Sequence, residues 1–338
     1  MILQSMNSSP YRRWINKAIG IACWITGLAG MFQNPVDGQD GSPPKRTFRI
    51  AFSKSLFTDI NVNDATAALR ISLQTIARQR HVQIEPEAWV VDTREELAEA
   101  IRSKRVDAVE VTSEEYVALE KEVRFAPMFT GSSGGSITEE YVVVVSRNGK
   151  IESLADLQGR HLNVYAHYRA CLAQIWLDNL LAGQGLPPTA QFFSQIAATS
   201  KLAQVVLPVF FGQCDACLVT RSGFEIMCEM NPQLSKQLKV IAKSPGVVSA
   251  VFCFRADVPD EIKGPYIAGL REMHLTAGGQ QALTIFHRDK LEEHSADCMQ
   301  SALDLVETHG RLFGETNQLQ VTTVGPMLPQ EEKAGVKK

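Results

Sequence analysis

The stretch EEYVVVVSRNGKIESLADLQGR, residues 139–160, is the part of the sequence that best defines the fold. Its apolar run at 141–145 has no polar residue, which is typical of a strand covered by protein on both faces. The segment 151–160 then leads into a further predicted strand at 161–165. A strand buried on both faces predicts a sheet that lies between layers of helices.

Strands and helices alternate on both sides of this stretch. Predicted strands cover 48–52, 82–91, 106–111, 141–145, 161–165, 191–194, 216–220, 238–242 and 247–254. Predicted helices follow Asp64, Thr93 and Thr112 and cover 170–182 and 200–206, and the region 260–315 is predicted to be entirely helical. This alternation indicates an α/β protein with mixed, mostly parallel sheets, and the length fits two such sheets better than one.

The composition is that of a soluble globular protein. The 338 residues are 45% hydrophobic and 21% charged, and the formal net charge is −3. A chain of this length can form two compact lobes, each with its own core. Because the sequence contains no basic block, the charge pattern of a nucleic-acid-binding protein is missing, and we expect no nucleic-acid partner.

The first residues have the pattern of a secretion signal. Three basic residues precede an apolar stretch at 18–31 that ends in small residues. This stretch is shorter than the roughly 20 residues that a membrane-spanning helix needs. We therefore expect a signal peptide at 1–32, a flexible linker at 33–45 and an exported, periplasmic protein. An uncleaved membrane anchor is the alternative.

Three segments resemble the phosphonate-type (PhnD-like) periplasmic substrate-binding proteins of ABC transporters, in the same order along the chain. The first is the strand 106–109, Val-Asp-Ala-Val, followed by Tyr116. The second is 139–160, which is similar to the family's crossover between lobes and its pattern I-x-S-L-x-D-L-x-G-K/R. The third combines Gly-x-x-Asp-Ala at 212–216 with a Ser-Pro turn at 244–245.

The resemblance implies the type II periplasmic binding fold, in which crossover strands join two α/β lobes. Lobe one would comprise 46–139 and 249–316, lobe two 140–248, and 317–338 would be a flexible tail. It also implies a receptor that captures a small ligand between the lobes, where helix N-termini favour an anion such as phosphonate, phosphate or an organic acid. We expect a monomer that serves the membrane permease of an ABC transporter, has no cofactor and is not an enzyme.

Two other functions are open at this point. A sensor of a signalling system can use the same fold to report its ligand to a partner. Some cytoplasmic relatives are enzymes that act on small carboxylates. The export signal and the lack of a recognisable nucleophile–base motif count against an enzyme.

The sequence differs from that of its relatives directly after the strand 161–165. Many relatives have a Ser/Thr-rich turn there that binds phosphonate oxygens, whereas this chain has His167, Tyr168 and Arg169. A guanidinium offers a planar, two-point contact to a carboxylate or phosphonate, so we expect these three residues to bind the ligand. The alternative is that Arg169 is a solvated charge at a helix start and His167 an ordinary loop residue.

The other candidates are expected in the cleft because they follow predicted strands or begin helices. They are Ser53, Lys54, Ser55, Glu110, Thr112, Ser133, Ser200 and Asp215. For Glu110 the alternatives are an ion pair with Arg169 or a solvated strand end. Thr112 is also expected to cap a helix, Ser133 lies in a Gly-rich crossover where hinge flexibility explains it equally well, and Asp215 could instead cap a turn.

The seven cysteines include one Cys-x-x-Cys pair, Cys214 and Cys217. In a strand these two side chains point to opposite faces, and no second Cys or His pair completes a zinc site. We therefore expect neither a redox motif nor a metal site, and buried free thiols for most cysteines. An oxidising compartment would allow disulfides, whose pairing cannot be read from the sequence.

Overall fold

Two β-sheets, each covered by helices, form the part of the chain that the computed structural model describes, residues 47–79 and 85–314. The strands are β1 (Thr47–Ser53), β2 (Glu85–Val91), β3 (Ala108–Thr112), β4 (Phe125–Ser132), β5 (Tyr141–Ser146), β6 (His161–Tyr165), β7 (Gln195–Thr199), β8 (Ala216–Thr220), β9 (Leu238–Lys243), β10 (Ala250–Arg255) and β11 (Lys290–His294). The helices are α1 (Val62–Gln79), α2 (Arg94–Arg102), α3 (Ser113–Leu119), α4 (Ala173–Ala182), α5 (Thr189–Phe192), α6 (Leu202–Phe210), α7 (Arg221–Met230), α8 (Pro232–Gln237), α9 (Asp260–Glu272), α10 (Ala277–Ile285) and α11 (Gln300–Phe313).

The first sheet has six strands in the order β11-β4-β10-β3-β1-β2, and we call this sheet with its helices the first lobe. Aromatic side chains form much of its core. Phe48 stacks on Tyr266 of α9 with ring centroids 4.1 Å apart, and Phe254 meets Phe129 edge to face at 6.2 Å. These contacts bury large apolar surfaces between the sheet and its helices, which stabilises the lobe.

The second sheet has five strands in the order β7-β6-β8-β5-β9, and this sheet with its helices is the second lobe. Tyr141 to Val145 of β5 are buried, as are Ala216 to Val219 of the neighbouring β8. The expectation of a strand covered on both faces is therefore confirmed, because alternate side chains of β5 contribute to separate apolar clusters.

Two crossover segments join the lobes and lie side by side. Glu139 N donates to the carbonyl of Val247 at 2.8 Å, and Val247 N donates back to the carbonyl of Glu139 at 2.9 Å. Beyond this pair, Tyr141 N donates to Oγ of Ser244 at 2.7 Å. A short paired connection between two sheets is where a hinge between lobes is expected.

Both sheets are mixed, and the predicted α/β class is confirmed. Among the described strands, four neighbouring pairs are parallel and five are antiparallel. Each antiparallel pair includes β5, β10 or β11, which run opposite to their neighbours. Parallel pairs are therefore not in the majority, and the prediction of mostly parallel sheets was wrong in this respect. The exact lobe boundaries stay a prediction, and the predicted signal peptide, linker and tail lie outside the described residues.

Three local predictions were wrong. The segment predicted as a strand at 191–194 is not a strand: residues 191 and 192 end helix α5, whose first N–H, that of Thr189, donates to the Asp178 carboxylate at 2.7 Å, and β7 begins only at Gln195. The helix predicted at 200–206, which Pro208 was expected to end, is α6 and continues to Phe210 with Pro208 inside it; a proline near the end of a helix removes only one helical bond. The predicted all-helical end contains β11, an edge strand that hydrogen-bonds to β4.

Candidate functional site

The loop after β6 carries the three residues that replace the relatives' hydroxyl-rich turn. His167 is buried and caps a short 3-10 helix at Tyr168–Ala170, its Nδ1 accepting from Arg169 N at 3.2 Å. Helix α4 begins only at Ala173, so Arg169 lies in the short helix and not at the start of α4.

Arg169 forms an ion pair with Glu139 on the first crossover. The guanidinium Nη2 lies 2.8 Å from Oε2 of Glu139, and the two side chains are 25% and 5% exposed. Ser222 at the start of α7 donates to the same carboxylate through its backbone N–H at 3.2 Å and its hydroxyl at 2.7 Å. Glu139 and Ser222 were not among the site residues predicted from the sequence, although Glu139 lies in the stretch that defines the fold.

Tyr168 connects the second lobe to the first. Its ring packs within the aromatic core cluster of the first lobe, and its hydroxyl donates to the carbonyl of Phe286 at 2.7 Å. An aromatic body with a hydrogen-bonded hydroxyl suits a buried contact of this kind. The contact holds the two lobes together in this structure.

Asp59 of the first lobe is a second connection between the lobes. Its carboxylate lies 3.2 Å from Nζ of Lys201 and 3.6 Å from Nε2 of His167, both of the second lobe. Burial lowers the pKa of His167 to about 4, although the nearby Asp59 acts in the opposite direction. The His167 ring also stacks on Tyr165 with centroids 5.1 Å apart. Ser200, which precedes Lys201, is half-buried.

A cavity of about 30 Å³ lies between the lobes and the crossovers. Residues that line it include Ser133, Thr138, Glu139, Tyr168, Arg169, Ser249 and Arg288. Because one water needs about 10–15 Å³ by this measure, the cavity has room for about two waters. In this structure the cavity is therefore too small for a ligand the size of a phosphonate.

Four of the predicted site residues contact Glu115 or another acidic residue instead of this cavity. Ser53 and Ser55 donate their hydroxyls to Oε1 of Glu115 at 2.6 and 2.9 Å. Thr112 donates its N–H and hydroxyl to Oε2 at 2.9 and 3.0 Å, and it forms the predicted capping box. Lys54 is exposed and pairs with Asp92 at 2.7 Å.

Glu110 forms an ion pair with Arg288, which follows α10. Both side chains are buried, at 5% and 9% exposure. Glu110 therefore pairs with Arg288, and the alternative pairing with Arg169 is wrong. No local signal in the sequence identified Arg288, which falls within the region 260–315 that was predicted to be helical.

Asp215 directly precedes β8, at the end of the second sheet's strands that is opposite to the cavity. Its carboxylate accepts from the backbone N–H of His161, the first residue of β6, at 3.0 Å. The cleft residues follow Tyr165 at the opposite end of the same strand, which is about 13 Å away at the usual rise per residue. Of the predicted candidates, the structure thus brings Ser133, Tyr168 and Arg169 to the cavity, with His167 beside them.

The cysteines that the structure describes, six in number, are all free thiols. Burial raises the pKa of Cys171 to about 12, and it also raises the pKa of Cys214 and Cys217, so these thiols are poorly reactive. Within residues 47–79 and 85–314, no group of three or more His, Cys, Asp or Glu side chains could hold a metal ion. No helix in this part of the chain is long and apolar enough to span a membrane.

Solved structures with the same fold include several binding proteins. XAC2383 from Xanthomonas citri, solved bound to ATP, has a TM-score of 0.60 at 16% identity, covering 79% of this chain and 98% of that chain. PA3383 from Pseudomonas aeruginosa, a binding protein component of an ABC phosphonate transporter, has a TM-score of 0.55 at 16% identity over 79% and 87%. PhnD1 from Prochlorococcus marinus, in complex with methylphosphonate, has a TM-score of 0.53 at 15% identity over 79% and 98%.

The sequence comparison points to the same family. No curated protein matches the chain. Residues 67–298, more than half of the sequence, match the family described as "ABC transporter, phosphonate, periplasmic substrate-binding protein". The fold, the paired crossovers and this match together show that the chain belongs to the periplasmic substrate-binding proteins of phosphonate-type ABC transporters.

Proposed function

We propose that the protein is an exported receptor that captures a small oxyanion between its lobes and delivers it to the permease of an ABC transporter. The observation that carries this proposal is Arg169, a partly exposed guanidinium that lines the cavity between the lobes. A guanidinium forms two-point, charge-assisted hydrogen bonds with carboxylate, phosphonate or phosphate groups.

The neighbouring groups support an oxyanion ligand. The hydroxyl-bearing residues Ser133, Thr138 and Ser249 line the same cavity, and hydroxyls can donate to the remaining oxygens of such a ligand. They come from the first lobe and the two crossovers, whereas Arg169 comes from the second lobe. A ligand held by all of them would therefore keep the lobes together.

The contacts between the lobes suggest how the ligand is enclosed. Tyr168 contacts the first lobe through a hydrogen bond to the carbonyl of Phe286, and Lys201 contacts it through an ion pair with Asp59. Lys201 is 62% exposed and Asp59 29%, and an ion pair at the surface contributes little, about 0–1 kcal/mol, so this part of the closure is easily reversed. The lobes open around the crossovers, admit the ligand and close again, as in other hinged receptors.

A thermal-shift screen tests the proposal. Phosphate, methylphosphonate, methanesulfonate, acetate and succinate would be added separately, and at least one should raise the unfolding temperature in a saturable way. Arg169→Lys should weaken that ligand about tenfold, because an ammonium cannot make the planar contact. Arg221→Lys is the control, since Arg221 pairs with Glu140 and Glu225 and does not line the cavity. Equal binding by both variants would contradict the role of Arg169.

Two further experiments test export and transport. N-terminal sequencing of the mature protein should give a start between about residues 28 and 40, as normal signal architecture requires. An intact Met1 in a cytosolic fraction would contradict export.

Deleting the gene tests transport and should abolish uptake of the labelled ligand. Unchanged uptake would instead favour a sensor.

A further inference from the structure

The carboxylate of Glu139 occupies the position beside Arg169 that a ligand oxyanion would take. It lies 2.8 Å from Nη2 of the guanidinium and is only 5% exposed. Both residues line the cavity between the lobes. Glu139 thus presents to Arg169 the same chemical group, a carboxylate, that an organic-acid ligand would present.

Glu139 is held in this position from two sides. Its backbone is fixed by the pair of hydrogen bonds with Val247 on the second crossover. Its side chain accepts the N–H and the hydroxyl of Ser222. A carboxylate with this many fixed donors does not reorient freely, so it stays beside Arg169 unless a stronger partner replaces it.

The cations near the cavity are already paired with carboxylates of the protein. Arg169 pairs with Glu139, Arg288 with Glu110, and Lys201 with Asp59. Each of these cations has a carboxylate partner within the protein. An incoming anion therefore meets no excess positive charge here, and it must replace one of the protein's own carboxylates or bind close to it at an electrostatic cost.

We propose that Glu139 is a built-in competitor for the ligand, which occupies Arg169 until an oxyanion replaces it. This inference rests on the proposed function, because it takes Arg169 as the contact for the ligand's anionic group. Glu139 contacts the guanidinium through one oxygen only, Oε2, so a ligand that presents two oxygens to Arg169 makes a contact that Glu139 does not. Carboxylates, phosphonates and phosphate can do this, whereas a halide, with a single contact point, cannot.

Neutralising Glu139 tests the proposal. Glu139→Gln keeps the shape and one acceptor for Ser222, but it removes the charge that competes for Arg169. The dissociation constant for the oxyanion found in the screen, or for methylphosphonate and phosphate, should fall about ten- to a hundredfold, the size of one charge-assisted contact. The ligand-free variant should at the same time unfold at a lower temperature, because the ion pair is lost.

The matched control is Glu140→Gln. Glu140 is the next residue, but it pairs with Arg221 at 2.6 Å and Lys243 at 3.0 Å and does not line the cavity. The same loss of charge there should leave the dissociation constant unchanged. If Glu139→Gln folds poorly, Glu139→Asp serves instead, because it keeps the charge but moves it away from Arg169. It should bind the oxyanion more tightly than wild type, though with a smaller gain than Glu139→Gln.

Competition predicts that Glu139→Gln binds the oxyanion more tightly and yet unfolds at a lower temperature, and this combination distinguishes it from a structural role. A purely structural Glu139 would lose both stability and affinity when neutralised, and this result, or an affinity equal to that of wild type, would overturn the proposal. Chloride or bromide binding as tightly as the oxyanion would overturn the expected advantage of a two-oxygen ligand. If no oxyanion binds wild type or either variant, the proposed function fails and this inference fails with it.

Discussion

Replacing Arg169 by alanine should destabilise the ligand-free protein, and not only weaken its ligand binding. The side chain of its partner Glu139 is 5% exposed, so the substitution leaves a buried carboxylate without its cation. Removing one partner of a fully buried ion pair costs about 3–5 kcal/mol. Here Arg169 itself is 25% exposed, and the two hydrogen bonds from Ser222 remain, so the cost falls to about 2 kcal/mol.

Thermal unfolding of the ligand-free protein measures this cost. A loss of about 2 kcal/mol corresponds to a fall in unfolding temperature of about 3–4 °C for a chain of this size, from the usual unfolding entropy per residue. A double-mutant cycle with Glu139→Gln isolates the pair, because in Arg169→Ala/Glu139→Gln no charge is left without a partner. The double variant should therefore be more stable than Arg169→Ala alone.

Two results would refute this reasoning. The first is an unfolding temperature of Arg169→Ala within about 1 °C of wild type, which is what a solvated charge at a helix start predicts. The second is a coupling energy near zero between the two substitutions. Either result would mean that the ion pair with Glu139 is not formed in solution.

The remaining predictions concern stability. Gly279→Ala should lower the free energy of unfolding by about 1–3 kcal/mol in a denaturant titration, because the new Cβ would lie 1.9 Å from the carbonyl oxygen of Met273. Gly278→Ala is the control and should be tolerated, since its Cβ would meet nothing closer than 3.9 Å. Burial lowers the pKa of His167 from 6.5 to about 4, so the unfolded chain binds a proton first and the free energy of unfolding should fall as pH drops from about 6.5 to 4. His167→Asn, which can still cap the short helix, should flatten that pH dependence; an unchanged slope would show that other groups cause it.

The elements set by local pattern were predictable from the sequence. The strands β6 and β8 have the predicted bounds, because the alternation of polar and apolar residues in β6 and the short apolar run in β8 can be recognised without a distant partner. The capping box of Thr112 and Glu115 was also predicted, since its two residues are three apart in the sequence. Likewise the family was recognisable from motifs in the segments at 106–116, 139–160 and 212–216.

The partners of the cleft residues were decided only by the tertiary structure. Strand β11 is a strand because β4 offers it backbone hydrogen bonds; its own residues Lys-Leu-Glu-Glu-His carry no strand signal. Arg169 meets Glu139, 30 residues away in the sequence, only because the loop after β6 returns to the crossover. Ion pairs depend on charges coming together in space, and no periodicity along the chain records that. The sequence by itself therefore determined the fold class and the loop that carries the arginine, whereas the folded chain determined which carboxylate stands beside it.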